Sequence, residues 1–409
     1  MSPEPQPITE EAREAVKSLL DLPTEVSEGD LETYEISSDV ADAPLDGIDI
    51  ATLSTTVIER IHAEHLVFPD AAALVEQAVV ALVAGNLVLH GPPGTGKTRL
   101  ATLLAETFRC ELHIETGTPD WSTYDVIGGL RPARDQQGRE VLRPWLGHVP
   151  RAALRCAVVV KDHLASGTGP QAHWLAIDEL SRADIDKAVG PLYTALSART
   201  AAYRKINLWF EDAPQRAEVT LPERFRLLGT MNDVDTAFVT QLSQGLQRRF
   251  DFVAISVPAE SQIDEELDQV SRQAAKWYGQ LYGHVPETEL GAYAEAFVVQ
   301  PRIQSVQELL KDFIRFLRWG TPDGPRWPVG SGQLADVMRR TAVRAYGNPA
   351  EEDLTGAIDV AISNQLIPQT SALTREQLYA IEQYLAKGPL QRALTALRRV
   401  REPHVTHSG

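Results

Sequence analysis

The octapeptide Gly91-Pro-Pro-Gly-Thr-Gly-Lys97-Thr98 follows directly on the apolar run Asn86-Leu-Val-Leu-His90 and precedes a helical stretch, Arg99 to Phe108. A strand, a glycine-rich turn and a helix in that order admit few folds. The glycines let the backbone wrap a phosphate chain, and the amides of the turn and the first helical turn point at the anion. The cradle is read as Gly91, Pro92, Pro93, Gly94, Thr95, Gly96, Lys97 and Thr98, with Arg99 next to it. Lys97 is expected to neutralise the β- and γ-phosphates, and Thr98 to hold Mg²⁺.

About 80 residues later the run Trp174-Leu-Ala-Ile-Asp178 ends in a second acid, Glu179. An apolar strand ending in two acids suits a metal ligand, Asp178, followed by a group that polarises an attacking water, Glu179. The next buried run, Leu228-Gly-Thr-Met-Asn232, places an amide at its end, where it can orient that water. Arg248 and Arg249 precede the strand-like Phe250 to Ser256. In an assembly, such an arginine can reach a neighbouring subunit's γ-phosphate.

Strands and helices alternate from residue 51 to 258, which argues an α/β parallel sheet sandwiched by helices. Residues 51–85 read as helical, Glu111 to Glu115 as a short strand, 184–198 as one helix and 199–222 as a hairpin. Residues 117–150, rich in Gly, Pro and Arg, do not read as a single regular element. From 259 to 400 the pattern is helical, with a capping box at Thr374-Arg-Glu-Gln377, and 401–409 is expected to fray.

The charge is uneven. Residues 1–50 hold 14 acids against Arg13 and Lys17, in a chain of net charge −17. This start is expected to be a mobile or partner-docking tail, with a possible short helix over 9–21. The overall charge argues against a general nucleic-acid binder, although a locally basic pore remains compatible with it. No apolar run is long enough to insert in a membrane, and no signal pattern opens the chain. Cys110 and Cys156 lack metal-ligand spacing and read as buried thiols in a reducing, cytoplasmic setting.

Taken in order, GPPGTGKT, LAIDELSRADIDKAVGPLYTAL, LLGTMN and LQRRFDF resemble an AAA+ ATPase, and more narrowly its dynein-related branch with MoxR and McrB proteins. The resemblance covers residues 55–255 well and the rest loosely. It implies a P-loop sheet followed by a helical lid, with Lys97 and Thr98 as Walker A, Asp178 and Glu179 as Walker B, Asn232 as sensor 1 and Arg248 or Arg249 as the finger. It also implies that Arg182 faces a subunit interface. Residues 117–150 resemble a helix-2 insert and 199–222 a hairpin before sensor 1, both facing the pore or a partner. The hairpin's Tyr203, Arg204, Lys205, Trp209 and Phe210 suit either a grip on a peptide or single strand, or packing onto the sheet.

One position departs from the pattern. Gln333 stands where MoxR-like lids carry a sensor 2 arginine, leaving Arg339 or Arg340 as substitutes. The leading expectation is a homo-hexameric, Mg²⁺-dependent ATPase that remodels a partner, a von Willebrand factor A-domain protein or a larger effector. The alternatives are an McrB-like GTPase motor, to which Asp235 in Asn232-Asp-Val-Asp235 would point, and a slow nucleotide-gated assembly switch. ATP is favoured over GTP because Asn232 is already engaged as sensor 1.

Overall fold

The computed structural model describes residues 33–134, 137–232, 243–320 and 324–401. These divide into two compact units. The first comprises Asp46–Asp120, Trp174–Asp186 and the chain from Arg226 onward; the second comprises the stretch up to Leu45, Trp121–His173 and Lys187–Phe225.

The first unit begins with helices α1 (Ile50–Ala63) and α2 (Ala71–Ala84), then strand β1 (Asn86–Gly91), helix α3 (Lys97–Thr107) and β2 (Cys110–Thr116). In the second unit, β3 (Gly128–Arg134) and β4 (Glu140–Leu146) form an antiparallel hairpin, followed by α4 (His148–Ser166). Strand β5 (Ala172–Asp178) leads back to the first unit. A further hairpin, β6 (Lys205–Asn207) with β7 (Glu218–Thr220), belongs to the second unit. Strands β8 (Leu227–Asn232) and β9 (Phe250–Ala254) complete the sheet.

The five-stranded sheet has the order β2-β5-β8-β1-β9, with β1 parallel to both β8 and β9 and β5 parallel to β8. Leu87, Val88 and Leu89 of β1 are buried, as are Leu175, Ala176 and Ile177 of β5. Strands covered on both faces need apolar side chains on both, so they read as continuous apolar runs rather than alternating ones. The α/β sandwich expected from the sequence is therefore present.

Helices α5 (Ile263–Leu281), α6 (Leu290–Val298), α7 (Pro301–Trp319), α8 (Ser331–Gly347), α9 (Thr355–Gln365), α10 (Arg375–Leu385) and α11 (Gln391–Arg401) form the lid. Along α5, Ile263, Leu267, Val270 and Ala274 recur at helical spacing and join one core with Leu310, Phe313, Leu334 and Met338. Within that core lies an ion pair. Arg318 of α7 donates to both carboxylate oxygens of Glu266 at 2.6 and 2.8 Å, and both side chains are all but inaccessible. Ser331, the first residue of α8, also donates to Glu266. The capping box at Thr374 opens α10, as expected. No helix among the described residues is long and apolar enough to cross a membrane.

Two local expectations differ from the structure, the mobile start and the single helix over 184–198. The acidic start is packed from residue 33 onward. Tyr34 is buried, its amide donates to Gln215 O at 3.0 Å, and Asp42 accepts from Arg204 at 2.8 Å. The helix expected at 9–21 and the tail 402–409 lie outside the described residues. Residues 184–198 are three short turns, Ile185–Val189, Gly190–Leu192 and Tyr193–Ser197, because Pro191 has no amide to continue a helix. The 117–150 stretch holds the regular β3–β4 hairpin, whose arginines and prolines conceal its alternation. Cys110 and Cys156 are buried and unbridged.

Candidate active site

The phosphate loop begins where β1 ends. A Cβ on Gly91 would lie 1.9 Å from the carbonyl oxygen of Ile255, so no larger residue fits there without moving β9's exit. Gly96, at φ 84°, is the residue before α3 and occupies the left-handed region that glycine enters at no steric cost. The loop is closed by its own side chains. Thr95 Oγ1 donates to Pro92 O at 2.9 Å, and Lys97 Nζ donates to Gly91 O at 2.9 Å and Pro92 O at 2.7 Å.

Register brings the other groups to the same sheet edge. Gly91 pairs with Asn232, and Ile177 with Gly229, so the carboxyl ends of β1, β5 and β8 meet. Ligands of open parallel sheets bind at such ends. Thr98 Oγ1 donates to Asp178 Oδ1 at 2.8 Å. The same oxygen accepts from Thr230, whose hydroxyl in turn accepts from the amide of Glu179 at 3.1 Å. Thr230 is buried in the middle of β8, and its sequence setting reads as core; nothing in the run Leu-Leu-Gly-Thr-Met-Asn marks it as a bridge.

Glu179 has φ 55° and ψ 45°, a left-handed conformation that costs a non-glycine residue about 1 kcal/mol or more. Gly117 braces the turn, with its amide on Asp178 O at 2.8 Å and no room for a Cβ, which would meet Glu179 O at 2.9 Å. The Glu179 carboxylate pairs with Arg182, one turn on, whose guanidinium is largely exposed.

These residues line a cleft of about 520 Å³, a size that suits a small-molecule ligand. Its wall includes Gly94, Thr95, Gly96, Lys97, Thr98, Asp178, Glu179 and Asn232, whereas Gly91 and Pro92 do not line it. Phe68 closes the side beside Gly96. Arg99 also lines the cleft, but its guanidinium is held by Glu64, which raises its pKa.

The lid enters through Gln269 and Gln273 of α5 and through Ser331 and Gly332. Gly332 N donates to Gly94 O at 2.7 Å, and a Cβ on Gly330 would lie 2.2 Å from Pro93 O. Gln333 turns into its own helix cap. Its Oε1 accepts from Gly330 N at 2.6 Å and its amide donates to Gln369. Neither suggested substitute lines the cleft: Arg339 pairs with Asp336 at 2.9 Å, and Arg340 donates to Asp336 O at 2.8 Å. In place of an arginine, the first turn of α8 faces the phosphate loop, with the positive end of a 17-residue helix dipole.

Arg248 and Arg249 lie elsewhere. Phe250 pairs with Asn86, at the opposite end of β1 from Gly91, so five strand steps of about 3.3 Å put the two arginines' backbone about 16 Å from the loop. Neither lines the cleft. Two residues hold this segment. Asn86 Nδ2 donates to Arg249 O at 3.2 Å, while its Oδ1 accepts from Leu227 N at 2.9 Å. Asp186 accepts from the amide of Ser243 at 2.9 Å and from its hydroxyl, and Ser243 caps the short helix Gln244–Gln247 just before Arg248. Sequence reasoning assigned no role to either. Asp235 lies outside the described residues.

On the second hairpin, Arg204 and Phe210 are buried, while Tyr203 and Trp209 are 70% and 68% exposed. Lys205 pairs with Glu218 at 2.6 Å. The expected mix thus splits: Arg204 and Phe210 serve packing, and Tyr203 and Trp209 face solvent.

Residues 86–250 match the family model described as AAA domain, dynein-related subfamily. The chain carries an AAA domain of that subfamily. That domain is of the ATP-hydrolysing AAA+ type. No curated protein matches the chain. Among solved structures, a mutant RuvB from Thermotoga maritima aligns over 78% of each chain with 15% identity and a TM-score of 0.40. The AAA domain's matched span runs from the first residue of β1 to the first of β9, and so takes in the phosphate loop, Asp178, Glu179, Asn232 and the arginine pair.

Proposed function

We propose that this AAA+ protein is a MoxR-like, Mg²⁺-dependent ATPase whose active sites are completed between subunits of a homo-hexameric ring, and that it uses ATP to remodel a protein partner. One observation carries the reading. Arg248 and Arg249 sit at the sheet edge opposite the phosphate loop, out of reach of their own cleft, so an arginine needed at the γ-phosphate has to come from a neighbour.

The residues fit the cofactors of that chemistry. Magnesium takes oxygen ligands and keeps several from water and phosphate. Thr98 and Asp178 offer one hydroxyl and one carboxylate 2.8 Å apart, and the described residues contain no larger cluster of His, Cys, Asp or Glu that would bind a metal alone. Bound between them, the ion would neutralise charge on the β- and γ-phosphate oxygens. Lys97 would exchange the carbonyls of Gly91 and Pro92 for phosphate oxygens. Glu179 would accept a proton from the attacking water, and Asn232 would hold that water in line. Partner contact is assigned to exposed aromatics of the second hairpin, Tyr203 and Trp209. The partner class, a von Willebrand factor A-domain protein or a larger effector, rests on the sequence resemblance.

Mixing variants tests the shared site. Glu179→Gln and Arg249→Ala proteins should each be nearly inactive in ATP hydrolysis. Mixed, they should regain activity, because some interfaces then pair an intact Glu179 with an intact Arg249. A mixture no more active than its two components would refute the trans site.

A further inference from the structure

The two inserted stretches of the second unit, Trp121–His173 and Lys187–Phe225, hold 13 Lys and Arg against 8 Asp and Glu, whereas the whole chain has a net charge of −17. Four of those arginines lie between Gly128 and Leu146, on the β3–β4 hairpin or its turn.

The hairpin repeats itself. Leu130-Arg131-Pro132 on β3 and Leu142-Arg143-Pro144 on β4 face each other in antiparallel register, so that Arg131 is opposite Arg143, Leu130 opposite Pro144 and Pro132 opposite Leu142. A proline has no amide to give a partner strand, so its two pairs are the non-hydrogen-bonded ones, and each free edge lacks one donor, at Pro132 on β3 and at Pro144 on β4. Both edges are thereby blunted against strand addition, and a partner has to meet a face. On one face, Arg131 and Arg143 are both exposed and directly opposite, an arrangement that like charge disfavours.

That same face carries rings. Residues two apart share a face, so the Gly129–Trp145 pair lies next to the arginine pair. Tyr124 lies over Gly129, where a Cβ would be 2.6 Å from the ring, and stacks on Trp145 at 5.0 Å with an angle of 16°. Arg151 sits 5.3 Å from the Trp145 ring centre. Tyr124 as a whole remains 39% exposed.

We infer that this face of the β3–β4 hairpin binds single-stranded nucleic acid, with Arg131 and Arg143 on backbone phosphates and Tyr124 as the platform for a base. The paired guanidiniums match a repeating phosphate backbone. The exposed ring beside them favours a polynucleotide over an acidic peptide, because every base has a face to stack.

Fluorescence anisotropy of a labelled, mixed-sequence DNA single strand, titrated with the full chain at low salt, tests it. Wild type should bind, and affinity should fall with salt. Arg131→Gln and Arg143→Gln should each weaken binding and lower the log–log salt slope by about 0.7. Tyr124→Ser should weaken binding about tenfold with the salt slope unchanged. ATP hydrolysis by the arginine variants should match wild type, which separates lost binding from lost folding. No binding by wild type, or wild-type binding by the Arg131→Gln/Arg143→Gln double variant, overturns the inference. So does equal binding of polyglutamate through the same arginines, which would make the face a site for an acidic protein.

Discussion

Thr98 Oγ1 and Asp178 Oδ1 are 2.8 Å apart, so the first turn of α3 and the end of β5 present a hydroxyl and a carboxylate to the same point in the cleft. Asp178→Asn keeps an oxygen that can accept from Thr98 but removes the charge a divalent cation needs. Steady-state phosphate release should fall at least about a hundredfold. A chelator should abolish wild-type turnover, and Mg²⁺ should restore it. Turnover by Asp178→Asn at the wild-type rate would move the metal ligand elsewhere.

Glu179 is held by its strained backbone, by Gly117 beneath it and by Arg182. Glu179→Gln preserves size and removes the proton acceptor. Turnover should drop about 10²- to 10⁴-fold, while a fluorescent ATP analogue should bind as it does to wild type. If binding is lost along with turnover, Glu179 serves the cleft's structure rather than its chemistry.

The lid rests on the phosphate loop without an arginine. A Cβ at residue 330 would press on the backbone oxygen of Pro93 at 2.2 Å, and neither side is a flexible side chain that can turn away. Gly330→Ala should therefore push Gly332 off Gly94. Overpacking of this kind costs about 1–3 kcal/mol. Nucleotide affinity measured by equilibrium titration should weaken by at least about tenfold, whereas Gln333→Ala, which removes a cap bond outside the cleft, should change it less.

Ser331 reaches the cleft because Glu266 and Arg318 anchor it from below. Glu266→Gln leaves a buried guanidinium without its counter-charge. Such losses cost about 3–5 kcal/mol, so the thermal midpoint of the lid should fall by several degrees. A variant that replaces both partners with Met should recover much of that loss. Equal melting of Glu266→Gln and wild type would mean that the pair contributes nothing net.

The parts of this site legible in the sequence are those made by neighbours along the chain. The phosphate loop, the acids ending β5 and the amide ending β8 each sit at the end of an apolar run, and parallel pairing then brings run ends together. Thr230, Asn86 and Asp186 act across 52, 163 and 57 positions, a separation at which local pattern carries no information. Gln333 illustrates the opposite difficulty. The lid pattern assigns a place to its side chain, but the short reach of an amide and the nearby Gly330 amide draw it into the helix cap. The β3–β4 hairpin was hidden because its alternation is carried by arginine and proline instead of polar and β-branched residues.

Asp186 supplies the sharpest test of how the arginine pair is placed. It accepts two hydrogen bonds from Ser243, one of them from the amide at 2.9 Å, and Ser243 in turn caps Leu246 N at 3.1 Å at the start of the short helix leading to Arg248. Removing the carboxylate leaves that cap unsupported, while the cleft loses no lining residue. Misplacing a reacting group by about 1 Å costs about a hundredfold in rate. Asp186→Ala should therefore reduce ATP turnover by one to two orders of magnitude and leave nucleotide binding unchanged. It should also behave as a finger-side lesion: mixed with Glu179→Gln it should restore activity, as Arg249→Ala does, and mixed with Arg249→Ala it should not. Complementation with Arg249→Ala would place Asp186 on the cleft side, and its assignment to the arginine segment would fail.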